Sequence, residues 1–95
     1  MSAAFVVGQM TVKNPEKWVE YRAQVLATLR PFGGELVFRG EQVQAFSGVC
    51  PHPDIVVIRF AAVADAQAWH GSAAYQALIP LRQEAADVVL MTYGT

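Results

Sequence analysis

The chain has little cysteine, little excess charge and no long apolar run, and each shortage excludes a class of protein. Cys50 is the only cysteine, which excludes an intramolecular disulfide framework. The net charge is −1 and no basic run is present, so nothing attracts the chain to nucleic acid or to an anionic membrane. No apolar run approaches the about 18 residues of a membrane span. The opening Met1-Ser2-Ala3-Ala4 lacks the charged start of a signal peptide. We therefore expect a cytoplasmic protein that binds neither nucleic acid nor membrane.

The chain has instead an apolar excess, which predicts a homodimer. Residues 1–95 suffice for one domain, and 54% of them are hydrophobic while only 16% are charged. Segments 5–12, 55–60 and 88–93 resemble strands but are apolar at successive positions, whereas a sheet with one wet face alternates. Both faces of the predicted sheet must therefore be covered. About two helical regions can cover one face, and a second copy of the chain is the simplest cover for the other.

Proline, glycine and capping residues divide the chain into strands and helices. Asn14 is a good N-cap and Pro15 suits the first helical position. The strands are predicted over residues 4–12, 35–39, 42–47, 54–61 and 87–93, with Gly40-Glu41 as a hairpin turn. The helices are predicted over residues 15–29 and 63–70, followed by a short helix capped by Ser72. Pro80 is expected to break or kink this helix, with a helical continuation open to residues 81–86. With allowance for extra turns, the order is β-α-β-β-α-β. This order predicts an α+β ferredoxin-like fold with an antiparallel sheet and helices on one face.

Three blocks of the sequence resemble the domain-of-unknown-function 1330 family. They are residues 7–21 (VGQMTVKNPEKWVEY), residues 32–35 (FGGE), and residues 56–60 followed by 66–69 and 72–78. The resemblance implies a dimeric α/β barrel, in which two ferredoxin-like subunits place their sheets face to face and each subunit has a pocket between sheet and helices. It implies no catalytic residue, because the family has no established activity. Its superfamily includes cofactor-free monooxygenases, isomerases, haem-degrading enzymes and ligand-sensing domains.

The candidate catalytic residues combine a proton carrier with groups that hold an oxyanion. Histidine ionises near neutral pH, so His70 or His52 would transfer the proton, and Tyr21 or Arg59 would hold the oxyanion. His70 lies at a helix end, where the alternative is a surface cation that interacts with the helix dipole. Arg59 lies in an apolar strand, where an unpaired charge costs roughly several kcal/mol. The alternative there is an ion pair with Glu35 or another strand carboxylate.

Aromatic side chains at helical spacing are candidates for the wall of a ligand slot. The candidate ligand-binding residues are Trp18, Arg39, Trp69, Tyr75 and His52. The alternative for the aromatic members is ordinary core packing.

A proline-rich loop brings Cys50, His52 and Asp54 to alternate positions, which raises the question of a metal site. Proline stands at both intervening positions and no second cluster completes a ligand set, so no metal is predicted. No motif places a base beside Cys50, and no cofactor is predicted.

Two functions of different class remain open. The first is a cofactor-independent enzyme, monooxygenase- or isomerase-like, that acts on a small apolar or aromatic molecule. The alternative is a non-catalytic dimer with a ligand-binding or purely structural role. No motif in the sequence specifies either function, and the enzyme hypothesis rests on an analogy of fold.

Overall fold

Strands and helices follow one another in the order of the ferredoxin-like fold. The computed structural model describes residues 3–95, so the expectation about Met1 and Ser2 lies outside the described residues. The elements are β1 (Ala4–Val12), α1 (Pro15–Leu29) with a 3-10 turn (Arg30–Phe32), β2 (Glu35–Glu41), β3 (Asp54–Phe60), α2 (Val63–His70), α3 (Ala73–Gln76), α4 (Ile79–Ala85) and β4 (Ala86–Gly94). The predicted bounds of β1, α1 and α2 are confirmed.

The predicted capping residues begin two of the helices. The Asn14 side chain accepts a hydrogen bond from the backbone N–H of Lys17, at 3.2 Å between Oδ1 and N. Ser72 Oγ accepts from the backbone N–H of Tyr75 at 3.2 Å.

Pro80 lies in the first turn of α4, where its missing N–H is not needed. Of the predicted alternatives, a break or a kink, the structure shows a break: α3 ends at Gln76 and α4 begins at Ile79, just before Pro80. The predicted helical continuation beyond Pro80 is confirmed through Ala85.

The sheet is antiparallel, and its order is β2-β3-β1-β4. Successive side chains of a strand point to opposite faces, and the even-numbered positions of β1 from Ala4 to Met10 are the buried ones. They form the core with the inner faces of α1 and α2. The largest fully buried side chains are Phe60, Trp69 and Tyr75, and the ring centroids of Trp69 and Tyr75 are 4.3 Å apart. The α+β ferredoxin-like class is confirmed.

A β-bulge in β2 decides which side chains face the helices. The pairing with β3 shifts between Leu36 and Phe38, so Val37 is left without a partner. A shift of one residue exchanges the two faces of a strand. Leu36 and Arg39 therefore both face the helices, whereas Phe38 faces away. A Cβ on Gly40 would lie 2.7 Å from Cζ of Phe38, so the glycine leaves room for that ring.

The hairpin predicted at residues 35–47 is wrong. Residues 35–41 form one strand that contains Gly40, and residues 42–53 contain no strand. The alternation that suggested a strand needs a surface on which the apolar residues are buried. This chain provides none, because Val43 is 97% exposed and Phe46 is 92% exposed.

Among residues 3–95, no helix lies on the second face of the sheet, which we call the open face. Its side chains are Phe5, Val7, Gln9, Thr11, Glu35, Phe38, Ile55, Val57, Arg59, Asp87, Val89, Met91 and Tyr93. Met91 is 50% exposed and Tyr93 57% exposed. The chain thus covers one apolar face with helices and leaves the other open, as the strand pattern predicts.

The longest helix is α1, with 15 residues. A helix needs about 20 apolar residues to cross a bilayer. Within the described part of the chain, no helix meets the length and hydropathy that a crossing requires.

Candidate functional site

A cavity of about 400 Å³ lies between α1 and the helix-facing side of the sheet. Pockets of about 300–1,000 Å³ hold small organic molecules. Its apolar wall consists of Met10, Val12, Val25, Leu26, Leu29, Leu36, Val56, Ile58, Val88 and Leu90, with the indoles of Trp18 and Trp69. The polar side chains in the wall are Tyr21, Arg22, Arg39, Glu41 and Asp54. The cavity therefore combines a large apolar surface with a few charged groups.

The floor of the cavity depends on a glycine in β1. A Cβ at Gly8 would lie 2.9 Å from Cγ1 of Val56 and 3.2 Å from Cδ1 of Leu90. These two side chains come from the neighbouring strands β3 and β4, and they meet over the bare backbone of Gly8. A larger residue at this position would push the floor into the cavity.

Two arginines reach the cavity from different elements. Arg22 follows Trp18 by four residues and precedes Val25 by three, so it shares the sheet-facing side of α1. Arg39 pairs with Val56 across the sheet, and the bulge in β2 turns it to the same side. The sequence prediction did not include Arg22. The available signal was a cation within the apolar stripe of a helix.

Within the described chain, neither guanidinium group has a charged partner, and Arg22 is the more buried of the two arginines. Nε of Arg22 is buried and has no hydrogen-bond partner among residues 3–95. The only ion pairs within that range are Lys13 with Asp87 and Lys17 with Glu84, so neither cavity arginine belongs to one. Unpaired buried polar groups are rare because each costs about 1–3 kcal/mol.

The electrostatics of Arg39 also favour a negative charge in the cavity. Partial burial, and then the positive charge of Arg22, hold the pKa of Arg39 below its ordinary value. Both effects act against the charged form of the guanidinium. A negative charge placed between the two arginines would oppose both.

A chain of hydrogen bonds leads from α4 to the cavity wall. Nη1 of Arg82 donates to the hydroxyl oxygen of Tyr75 at 2.9 Å, and this oxygen is 3.0 Å from the hydroxyl of Tyr21. Arginine only donates and each phenol carries one hydrogen. If Tyr75 donates to Tyr21, the hydroxyl hydrogen of Tyr75 is used and the hydroxyl hydrogen of Tyr21 is not. That hydrogen is then available to an oxygen atom of a bound molecule.

Tyr21 is a neutral donor in this arrangement. Burial is the main cause that raises the pKa of Tyr21 well above its ordinary value. The phenol therefore keeps its hydrogen over the whole physiological range, which suits it to hold an oxyanion.

Two carboxylates line the cavity near the ends of β2 and β3. Glu41 and Asp54 are directly opposite each other in the sheet register, and both face the helices. A carboxylate can accept a proton from a bound molecule. The cavity thus contains groups that can hold a negative oxygen and groups that can take up a proton.

The structure brings together half of the eight site residues predicted from the sequence. Trp18, Tyr21, Arg39 and Trp69 line the cavity. Tyr75 lies behind the wall, fully buried, and contacts the site through Tyr21.

Three predicted site residues lie elsewhere in the molecule. His70 is exposed at the end of α2, with its ring 5.4 Å from that of Tyr75. Arg59 is exposed on the open face, opposite Glu35 in the register but not in an ion pair with it. His52 lies outside the cavity, where its Nδ1 is 2.9 Å from Oγ1 of Thr11.

The loop that carries Cys50 and His52 holds itself together. Sγ of Cys50 donates to the backbone oxygen of His52 at 3.6 Å. Among residues 3–95, histidine, cysteine, aspartate and glutamate side chains do not gather in a group of three.

Comparison with protein families gives one match over nearly the whole chain. The model of the family described as domain of unknown function (DUF1330) matches residues 3–93. A search of curated proteins found no match.

Solved structures show the same fold at low sequence identity. A protein of unknown function from Rhodopseudomonas palustris has a TM-score of 0.80 at 14% identity, over 97% of this chain and 81% of that chain. SnoaB, a cofactor-independent oxygenase from Streptomyces nogalater, has a TM-score of 0.72 at 8% identity, over 98% and 92%. A dimeric ferredoxin-like protein of unknown function from Thermobifida fusca has a TM-score of 0.66 at 12% identity, over 99% and 92%.

The buried, unpartnered Nε of Arg22 should lower the stability of the free protein. Arg22→Met keeps an unbranched apolar stem and removes the buried Nε–H that has no partner among residues 3–95, so the free protein should become more stable by about 1 kcal/mol. Urea denaturation of both proteins measures the difference. Arg30→Met removes an exposed cation just after the same helix, and it should give no gain. A loss of stability in Arg22→Met would contradict the assignment.

Proposed function

This chain belongs to the DUF1330 family, and we propose from its own cavity that it binds a small, largely apolar molecule that carries a negative charge. The observation that carries the proposal is the buried, unpartnered Nε of Arg22, in a cavity shared with Arg39. Arginine presents a planar fork of donors that matches a carboxylate. A carboxylate or an enolate oxygen would satisfy both side chains at once.

The rest of the cavity suits the apolar part of such a molecule. A volume of about 400 Å³ admits one or two fused rings. The indoles of Trp18 and Trp69 contribute flat surfaces, and aliphatic side chains of the sheet form the floor. The hydroxyl of Tyr21 is a further donor for an oxygen atom of the ligand.

Charge discrimination in a matched pair of ligands tests this proposal. We expect the protein to bind 2-naphthoate at least tenfold more tightly than the uncharged 2-naphthamide, since only the carboxylate pairs with the arginines. Quenching of the fluorescence of Trp18 and Trp69, which line the cavity, measures both affinities. Arg22→Gln and Arg39→Gln should each reduce the preference by roughly tenfold, because a charged hydrogen bond contributes about 1.5–3 kcal/mol.

Arg30→Gln is the matched control, since Arg30 is exposed and outside the cavity wall. This variant should keep the full preference for 2-naphthoate. Equal affinity for the two ligands in the unmodified protein would contradict the proposal. A preference that survives both cavity substitutions would place the bound anion elsewhere.

Catalysis without a cofactor is a second candidate function, favoured by the carboxylates Glu41 and Asp54 in the same wall. A carboxylate could take a proton from a carbon next to a carbonyl group, and the arginines would hold the enolate oxygen that forms. Return of the proton to another carbon would complete an isomerisation. SnoaB, which shares the fold, is a cofactor-independent oxygenase. This proposal retains Tyr21 as an oxyanion donor and uses neither His70 nor Arg59, because both lie outside the cavity.

Hydrogen exchange tests the proton-transfer proposal with 2-tetralone as the probe. In D2O the protein should speed deuterium uptake at the carbons beside the carbonyl above the buffer rate, as followed by proton NMR. Glu41→Gln or Asp54→Asn should remove about 10²-fold of that acceleration, the size typical of one acid–base group. Glu16→Gln, at an exposed helix position, is the control. Uptake at the buffer rate would contradict catalysis and would leave the binding proposal intact.

We also propose that two copies of this chain associate through their open faces. Large apolar side chains of this face remain half exposed, including Met91 and Tyr93. Contiguous apolar surface of this kind marks an interface. The Thermobifida fusca protein with the same fold is described as dimeric. Face-to-face association would bury the surface that the helices leave uncovered.

A further inference from the structure

An uncharged apolar segment projects from the end of the sheet, between β2 and β3. It comprises residues 42–53, which we call the arm. Val43 is 97% exposed, Phe46 92% and Val49 95%, more than any other large hydrophobic residue in the described chain. Residues 42–53 contain no lysine, arginine, aspartate or glutamate. We infer that the arm packs Val43, Phe46 and Val49 against the second copy of this chain. The inference rests on the proposed dimer and goes beyond its sheet-to-sheet contact.

The base of the arm is held in place. The backbone N–H of Gln42 donates to the backbone oxygen of Pro53 at 2.6 Å, which ties the two ends together. His52 is bonded to Thr11, and Cys50 is bonded to the backbone of His52. A segment with a fixed base loses less conformational freedom when it binds than a free chain would. The arm is therefore organised to present its apolar side chains.

The position of the arm connects it to the open face. Thr11 is an odd-numbered residue of β1, so its side chain lies on the open-face side of the sheet. The bond from His52 to Thr11 fixes the returning half of the arm at the rim of that face. Six residues of extended chain reach about 20 Å, and packed sheets lie about 10 Å apart. The arm can therefore cross the layer between two facing sheets.

The area of the open face also argues for an additional contact. Four strands of seven to nine residues, with about 4.8 Å spacing and about 3.3 Å per residue, give a projected face of roughly 500 Å². Specific interfaces bury about 800 Å² per partner. A buried Phe side chain such as Phe46 contributes about 150–250 Å², and each subunit would both give and receive an arm.

The composition of the arm agrees with an interface between proteins. Charged residues are depleted in the buried centre of interfaces, where aromatic residues are enriched. Gly48 has a φ of +75°, a conformation that suits glycine, and it turns the chain between Phe46 and Val49. The three apolar side chains on either side of this turn are almost fully exposed, so a partner can contact them.

Sedimentation velocity over a range of protein concentrations tests the inference. The triple variant Val43→Ser, Phe46→Ser, Val49→Ser should raise the dimer dissociation constant at least tenfold. Its thermal midpoint at monomeric concentration should equal that of the unmodified monomer, because these side chains contact little of their own subunit. Val19→Ser replaces a hydrophobic residue that is 61% exposed on α1, and it should leave the dissociation constant unchanged.

The outcomes separate the arm from the dimer as a whole. A monomer at every concentration of the unmodified protein would overturn the proposed dimer and the arm contact together. A dimer with the same dissociation constant in the triple variant would overturn the arm contact alone.

A mixed dimer of isotope-labelled and unlabelled subunits gives a direct second measurement. Nuclear Overhauser contacts from the ring of Phe46 to protons of the other subunit would support the inference. Contacts only within one subunit would overturn it. The arm would then cover the cavity of its own subunit. Glu41 and Asp54, which flank the arm in the sequence, belong to the wall of that cavity.

Discussion

A sheet that is apolar on both faces and carries helices on only one of them constrains everything else in this structure. The helix-covered face supplies the core, with Phe60, Trp69 and Tyr75 fully buried. The same face supplies the cavity, because α1 does not pack closely on the sheet at every point. Within the described part of the chain, no element covers the other face. The cavity and the proposed subunit contact are therefore two consequences of one arrangement of layers.

The chemistry of the cavity follows from the lack of hydrogen-bond and ion-pair partners for its arginines within the described chain. A domain is stable by about 5–15 kcal/mol, so the cost of about 1–3 kcal/mol for the buried, unpartnered Nε of Arg22 is substantial. Arg22 and Arg39 share a site without ion pairs, and the positive charge of Arg22 lowers the pKa of Arg39. Sites that bind a charged molecule commonly keep such an imbalance when they are empty, at some loss of stability. A complementary anion would remove it.

The elements of the fold that depend on local sequence signals could be predicted from the sequence. Asn14, Pro15 and Ser72 act through neighbouring backbone groups, and the elements they begin were predicted well. The strand pattern also predicted two apolar faces. The hairpin at residues 35–47 was wrong because Gly40 signals a turn by residue type, yet here it makes room for the ring of Phe38.

The site was less accessible to sequence reasoning because it depends on register. The bulge at Val37 turns Arg39 toward the helices, and no local pattern reveals a shift that tertiary pairing creates. Arg22 was missed because a cation in a helical stripe usually extends to solvent. Arg59 looked buried in an apolar strand, but its face is the uncovered one.

The most direct measurement of the central claim is the NMR signal of the arginine Nε–H groups in 15N-labelled protein, recorded with and without 2-naphthoate. If Arg22 and Arg39 bind the carboxylate, we expect their signals to shift and to become protected from exchange with water. The signals of Arg30 and Arg59 should not move. The Arg22→Lys variant assigns the first signal. Unchanged signals from both cavity arginines at saturating ligand, or a shift confined to Arg59, would contradict the account.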